Sequence, residues 1–408
     1  MSRLSVVDEI FLRGYRGSGT PSALQGLWRT SDTVDHELLE GIHARLRVGP
    51  LGRRVVRSRV PGARPYWRAN SRSHPLGIGP EPIPTETLLS WADAQGEELD
   101  PEFGSGWRLS AADLREGGCV VALTCSHALA DGRGLALAVD NALSGAPVGE
   151  YPRQGSDWSD ARRQWTTVLS GTARALRSGI PRSPATGPAR RATDLPGVGA
   201  VIQFPAAEWE RAALERGGTP NSLFLYLMAR LLWDSGFSDP EIGASVPVDT
   251  RADRRVDNDM AMTEVCVTTA DTPASLREKA RAAYEYRISA PDGMPAELLQ
   301  VLPDRLAHRL SRGAGERDIL CSNIGALPTS LTHLGPHRCT GVAARAIHPG
   351  LSATHLPRTR LSGYFARVGR DHTLSLVALD PARIPSPAAL TGLVESRLTA
   401  LGISATTW

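Results

Sequence analysis

The sequence predicts an α+β fold, a mixed-sheet α/β sandwich in two parts. Three observations carry that reading. Helical and strand periods occur in both halves of the 408 residues, without a regular βαβα alternation. The stretch 178–199, SGIPRSPATGPARRATDLPGVG, has neither period and reads as a crossover linker. It separates an N-terminal part, 1–177, from a C-terminal part, 200–408. No short-period repeat is visible, which sets aside solenoids and propellers.

The elements follow in order. Residues 119–124, Cys-Val-Val-Ala-Leu-Thr, form a short apolar run suited to a buried strand. A helix follows over 134–143, with Leu135, Val139 and Leu143 on one face and Gly145 placed to end it. Residues 157–176 read as a longer surface helix. Past the linker, 200–204 is a strand and 205–216 an amphipathic helix stopped by Gly217-Gly218. Thr219-Pro220 supplies an N-cap with proline at the first helical position. The helix it opens, 221–233, is apolar nearly all round and therefore central. Later strands are expected at 244–248, 264–268, 318–322, 363–368 and 373–379, the last two joined as a hairpin through Gly369-Arg370-Asp371-His372.

Composition narrows the function classes. Forty-six Lys and Arg against 43 Asp and Glu leave a net charge of +3, too balanced to point to nucleic acid. No run reaches the ~18 apolar residues a membrane span needs, so no transmembrane segment is expected. Asp8, Glu9 and Arg13 interrupt the N-terminus too early for a secretory signal, and a cytoplasmic protein is expected. Lys279 is the sole lysine; that bias, with 40 glycines and 30 prolines, fits a GC-rich, actinobacterial-type genome. The five cysteines, at 119, 125, 266, 321 and 339, contain no C-x-x-C and read as free thiols. Walker A, G-x-G-x-x-G and G-x-S-x-G motifs are missing from the sequence, and His36-Glu37-Leu38-Leu39-Glu40 lacks the second histidine of a zincin. In HLGPHRC, His333, His337 and Cys339 have ligand chemistry, but Gly335-Pro336 breaks any helix and no fourth ligand is near, so no metal site is expected. Arg53-Arg54, Arg57-Ser58-Arg59 and Arg190-Arg191 read as solvated surface charge.

The informative segment is CSHALADG, residues 125–132. Of ten histidines only His127 has an aspartate four positions on, and Gly132 follows Asp131. A histidine where a strand emerges is held by rigid backbone, and an imidazole of ordinary pKa near 6.5 suits general-base work. In the turn, Asp131 points back into the protein and needs a partner, most economically an arginine. The same residues also fit a structural histidine followed by an aspartate that caps the next helix.

CSHALADG resembles the H-x-x-x-D-G signature of the chloramphenicol-acetyltransferase-like superfamily. That group includes nonribosomal peptide condensation domains, wax-ester/diacylglycerol acyltransferases, polyketide-associated acyltransferases and BAHD acyltransferases. Further segments match in order: Gly106-Trp107-Arg108-Leu109 before the strand, Ser245-Val-Pro-Val-Asp-Thr-Arg251, Asn258, and Ser322-Asn323-Ile324-Gly325. The resemblance implies two chloramphenicol-acetyltransferase-like lobes in a V, with the histidine at their interface in a tunnel open to both faces. It assigns His127 as catalytic base, Asp131, Arg251 and Gly132 as structural support, and an Asp131–Arg251 pair joining the halves. Ser322, Asn323 and Ser126 are its oxyanion or substrate candidates. Two departures stand out. Ser126 replaces the first of two consecutive histidines common in bacterial members, and Gly363-Tyr-Phe-Ala-Arg367 stands where BAHD enzymes carry D-F-G-W-G.

What the resemblance implies for function is acyl transfer by a stand-alone bacterial enzyme of specialised or lipid metabolism. The donor is a thioester, acyl-CoA or a phosphopantetheinyl carrier protein, and the acceptor a small alcohol or amine. No bound cofactor is expected, and a monomer is. The alternatives are a condensation-type amide-forming or cyclising enzyme acting on carrier-bound substrates, and a catalytically silent binding protein of the same fold.

Overall fold

The computed structural model describes residues 2–16, 21–70, 72–145, 155–177, 198–285, 294–311, 315–351 and 356–408. The expected linker therefore lies outside the described residues except for Val198 and Gly199, which already belong to a strand, Val198–Pro205.

Two large sheets organise these residues. The first has six strands in the order His333–Leu334, His337–Ile347, Ala23–Thr30, Cys119–Ser126, Trp107–Asp113 and Gly77–Ile78. The second has seven, in the order Thr406–Thr407, Val198–Pro205, Asp371–Ala378, Leu361–Val368, Ile319–Ala326, Glu241–Asp249 and Met260–Thr268. Most neighbours run antiparallel, but Ile319–Ala326 pairs parallel with both Leu361–Val368 and Glu241–Asp249. The sheet is thus mixed, as expected from the irregular order of elements. The first sheet draws two strands from beyond residue 330. His337–Ile347 lies along Ala23–Thr30, with Ala23 opposite Ile347.

The segments anticipated from sequence form with small shifts. The strand beginning at Cys119 runs two residues further, to Ser126, and all eight of its side chains are buried. The following helix starts earlier, at Gly132, and Gly145 ends it in the left-handed conformation at φ 65°. Thr219 caps Pro220–Asp234 in a reciprocal box: the Ser222 N–H donates to Thr219 Oγ1 at 3.2 Å, and the Thr219 N–H to Ser222 Oγ at 2.8 Å. The C-terminal hairpin turns at Gly369-Arg370, with Val368 opposite Asp371 and Gly369 at φ 59°.

The second sheet is apolar on both faces. Leu361, Phe365, Leu374 and Leu376 pack with Phe224, Leu227, Met228 and Leu231 of the central helix. Their alternating neighbours Tyr364, Ala366, Val368 and Val377 join a different core with Trp107, Leu123, Leu129 and Leu135 from the first half. Period-two alternation thus sends one strand's side chains into two cores, and the sheet becomes the shared wall between them.

That wall requires close approach at Gly363. A Cβ there would stand 2.5 Å from Met228 Sδ and 3.1 Å from Phe224. Gly363→Ala is expected to overpack this contact and cost about 1–3 kcal/mol, measured as a lower midpoint in urea denaturation at unchanged m-value.

Candidate active site

His127 stands one residue past the buried Cys119–Ser126 strand, and its backbone continues the ladder: the His127 N–H donates to Ser22 O at 3.1 Å. A tight turn follows, with the Leu129 N–H on Ser126 O at 2.9 Å. Inside it the Ser126 hydroxyl accepts from the Ala128 N–H at 3.3 Å. Ser126 is fully buried within this turn. The His127 side chain is half-buried. Its ring stacks on Phe11 of the N-terminal helix Val6–Tyr15, with centroids 3.6 Å apart and planes 12° from parallel. Nδ1 is shielded from solvent with no hydrogen-bond partner among the described residues. Burial holds the imidazole pKa well below its usual value, against the opposing pull of Asp131 and Asn258. The ring is therefore neutral at pH 7, the state a base requires.

Asp131 caps the helix and also carries the clasp. Oδ1 accepts from the Gly134 N–H at 2.8 Å, the N-cap bond of Gly132–Ser144. Oδ2 accepts from Arg251 Nη2 at 2.6 Å and from the Asp259 N–H at 3.0 Å. Both side chains are nearly sealed, with 4% of Arg251 and 7% of Asp131 exposed. Arg251 in turn fastens its own connection, 250–259, by donating to Asp249 Oδ1 at 2.8 Å and Arg255 O at 3.0 Å, and to Asp257 O. The pair expected from the resemblance is present, and it joins residues 120 positions apart.

The same connection grips the histidine turn at further points. Asn258 Nδ2 donates to His127 O at 2.8 Å, to Ala128 O at 3.2 Å and to Asp8 Oδ1 at 2.8 Å. Arg53 donates to Leu129 O at 2.6 Å and to Val256 O at 2.9 Å, and pairs with Asp257 at 2.8 Å. Its guanidinium lies on the Trp67 ring, 4.4 Å from the centroid. Arg53 is thus buried, which corrects its assignment to surface charge; its neighbour Arg54 is half-buried, Arg57 and Arg59 are exposed, and Arg190 and Arg191 lie outside the described residues. Phe11, Asp8 and Arg53 had escaped sequence reasoning. Ser5 and Asp8, a reciprocal cap ahead of an apolar run, could have marked the helix that carries Asp8 and Phe11. Nothing in the sequence separates Arg53 from an ordinary surface arginine.

Gly132 meets Ile324: a Cβ at 132 would lie 3.2 Å from its Cδ1. The end of Ile319–Ala326 therefore abuts the start of the helix, and Arg133 donates to Ala326 O across the same contact. Gly134 lets the 250–259 connection close, since a Cβ there would sit 3.0 Å from Asp257 O. Asn323 is spent on its own bulge and on the central helix. Its Oδ1 accepts from the Gly325 N–H at 3.0 Å, its Nδ2 donates to Asn221 at 3.0 Å, and Gly325 takes φ 80°. Ser322 is half-buried, opposite Tyr364. Away from this site, His337 is held by Asp32 at 2.7 Å and Asp35 at 3.3 Å, which raises its pKa.

No family model matches the sequence, and no curated protein matches it. Solved structures do. The chain is similar to the first condensation domain of the CDA synthetase at 16% identity, over 98% of this chain and 95% of that one, with a TM-score of 0.61. It is similar to polyketide synthase associated protein 5 from Mycobacterium tuberculosis at 14% identity, over 96% of both chains, with a TM-score of 0.57. A third likeness is to the epimerization domain of the third module of tyrocidine synthetase B, at 12% identity over 98% and 97% of the chains, TM-score 0.53. At such identities the likeness establishes fold: the chain has the two-lobed condensation-domain fold, and the resemblance drawn from its short motifs holds at that level.

Asp131→Asn would leave the Arg251 guanidinium sealed without its counter-charge. Breaking a buried pair on one side costs about 3–5 kcal/mol, so the variant is expected to show a lower melting temperature. Asp249→Asn, which removes the solvent-exposed partner of the same arginine (47% of Asp249 is exposed), should cost at most about 1 kcal/mol. Calorimetry of both variants checks the contrast.

Proposed function

We propose that the protein is an acyltransferase that moves an acyl group from a thioester to an alcohol or amine, with His127 as general base. One observation carries the reading: a half-buried imidazole on a turn whose carbonyls at 127, 128 and 129 are held by Asn258 and Arg53, just ahead of the Asp131–Arg251 pair. His127 takes the acceptor's proton as its oxygen or nitrogen bonds to the thioester carbonyl carbon. The C–S bond then breaks, and the imidazolium returns the proton to the leaving thiolate. A thiol of pKa near 8.5 departs without strong acid help, and no protein nucleophile is required. Asp131 faces Arg251 and the backbone, so its role is support. The developing oxyanion needs a donor. Ser322 is our candidate, because its strand end abuts the helix that follows the histidine turn. Asn323 is the weaker one, its amide being committed to Asn221 and Gly325.

The donor is acyl-CoA or an acylated carrier protein. Condensation and epimerization domains among the structural neighbours support a carrier-linked substrate. An amide-forming or cyclising reaction on carrier-bound partners uses the same base and differs only in the acceptor.

Mass spectrometry of products from a panel of acyl-CoAs and acylated carrier proteins, offered with alcohol and amine acceptors, tests the reading. His127→Ala is expected to lower turnover by about 10²–10⁴-fold while keeping the melting temperature; an unchanged single-turnover rate would overturn the assignment. The pH dependence has a defined sign. Activity requires the unprotonated ring, and burial lowers its pKa. The acid limb of kcat/KM should therefore fall below the ordinary histidine value of about 6.5, with activity retained at pH 6 and lost on further acidification.

A further inference from the structure

The helix Asp157–Arg177 packs with the side that amphipathic helices usually show to water. Its buried residues are small or polar: Asp160, Ala161, Gln164, Val168 and Ala175. Its large apolar side chains point outward. Trp158 is 73% exposed, Leu169 65%, Leu176 57% and Trp165 42%. An amphipathic surface helix ordinarily does the reverse. With 3.6 residues per turn these four fall within about 40° of one line, ~27 Å long.

The helix cannot roll that line inward. Asp157 Oδ1 accepts from Arg3 Nη2 at 2.5 Å, and Asp160 Oδ1 from Arg64 Nη2 at 2.8 Å. Gln164 Nε2 donates to Gln300 Oε1 at 3.1 Å. Gly171 lies against Pro295, where a Cβ would stand 2.8 Å from the proline ring.

Charge is distributed as unevenly as apolar surface. Asp157 and Asp160 are the helix's only carboxylates, and both are bonded to those arginines. Arg162, Arg163 and Arg177 are exposed, and none has an ion pair among the described residues. By helical geometry they flank the apolar line on the side away from the packed face. A shallow depression beside Trp158 is lined by Ser159, Arg162, Arg163, Thr166 and Thr167. It offers guanidinium and hydroxyl donors and no carboxylate, the chemistry that receives a phosphate.

A contiguous exposed apolar line with a cationic flank calls for a partner that is apolar and anionic side by side. A second copy is opposed by charge: in an antiparallel pair of these helices the two basic flanks would lie along the same edge. An anionic lipid surface supplies both features. Tryptophan, with one polar edge on an apolar ring, and arginine, with an apolar stem, suit the boundary between phosphates and acyl chains.

We propose that the outer face of Asp157–Arg177 is a peripheral docking surface for anionic phospholipid bilayers. Trp158, Trp165, Leu169 and Leu176 enter the boundary, and Arg162, Arg163 and Arg177 stay with the phosphates. The helix lies along the surface; among the described residues no helix is long and apolar enough to cross it. The inference is independent of the acyl-transfer reading.

Co-sedimentation of the full chain with vesicles tests it. Vesicles of equal parts phosphatidylglycerol and phosphatidylcholine should bind the protein at low salt, and pure phosphatidylcholine vesicles should bind it weaker by roughly tenfold or more. The double variant Arg162→Gln, Arg163→Gln should lose a similar factor on the anionic vesicles, with a flatter dependence on salt. The double variant Trp158→Ser, Leu169→Ser should lose binding at low and high salt alike. Thermal melts followed by circular dichroism check that each variant is folded, and Trp158→Gln replaces the serine pair if it is not. Soluble glycerol phosphate at the same phosphate concentration should leave the protein on the vesicles; displacement would mean a site for a free phosphate and overturn the proposal. It is also overturned if the anionic vesicles do not bind, or if the folded serine pair binds as wild type, which is adsorption by charge alone. A dimer in sedimentation velocity that the serine pair dissolves would assign the line to self-association instead.

Discussion

The site depends on one buried ion pair. Asp131 and Arg251 meet at 2.6 Å with both side chains nearly sealed from water. Such a pair gains little over two well-packed apolar residues, because desolvation offsets most of the attraction. Its value here is directional. A carboxylate that accepts from a helix N-terminus, a strand-connection N–H and a guanidinium is held in one position, and His127 is tied to it by the three intervening residues 128–130 on one side and by Asn258 on the other. The pair therefore acts as a locating pin between two pieces of chain far apart in sequence.

The pin would be useless if the pieces could slide. They are kept in register by the second sheet, whose strands Leu361–Val368 and Asp371–Ala378 supply side chains to the cores on both sides. The first sheet contributes the reverse tie by accepting His337–Ile347 beside Ala23–Thr30. Interiors this closely packed do not deform continuously, so the position of the 250–259 connection relative to the histidine turn is set by the whole fold. Arg53 completes the set, with its donors on carbonyls of both segments.

The chemistry follows from where charge is not placed. No carboxylate bonds to the His127 ring among the described residues, and the one four residues away is engaged by Gly134, Asp259 and Arg251. The imidazole is left neutral by burial, with a pKa shifted in the direction that keeps it a weak but unprotonated base. That state is the one the proposed transfer needs, with proximity supplying much of the rate.

Local patterns were enough to locate the histidine motif, the central helix with its cap, and most strands of the second sheet, because each rests on a period or a cap that is complete within about ten residues of chain. The arginine at 251 was reachable only through resemblance, and its bond to Asp131 spans 120 positions. The 337–347 strand was not legible because it carries Arg338 near its start and Arg345 near its end, the latter buried on Gln25 and Asp93 at 2.8 and 2.6 Å, and charged residues mask a strand's apolar pattern. Arg53 misled for a related reason: residue type alone does not say whether a polar side chain faces water or a backbone carbonyl. The sequence alone determined which groups are able to do chemistry, since that depends on side-chain identity and local backbone. Tertiary structure alone decided which of them are free to do it, since that depends on partners brought from the far end of the chain.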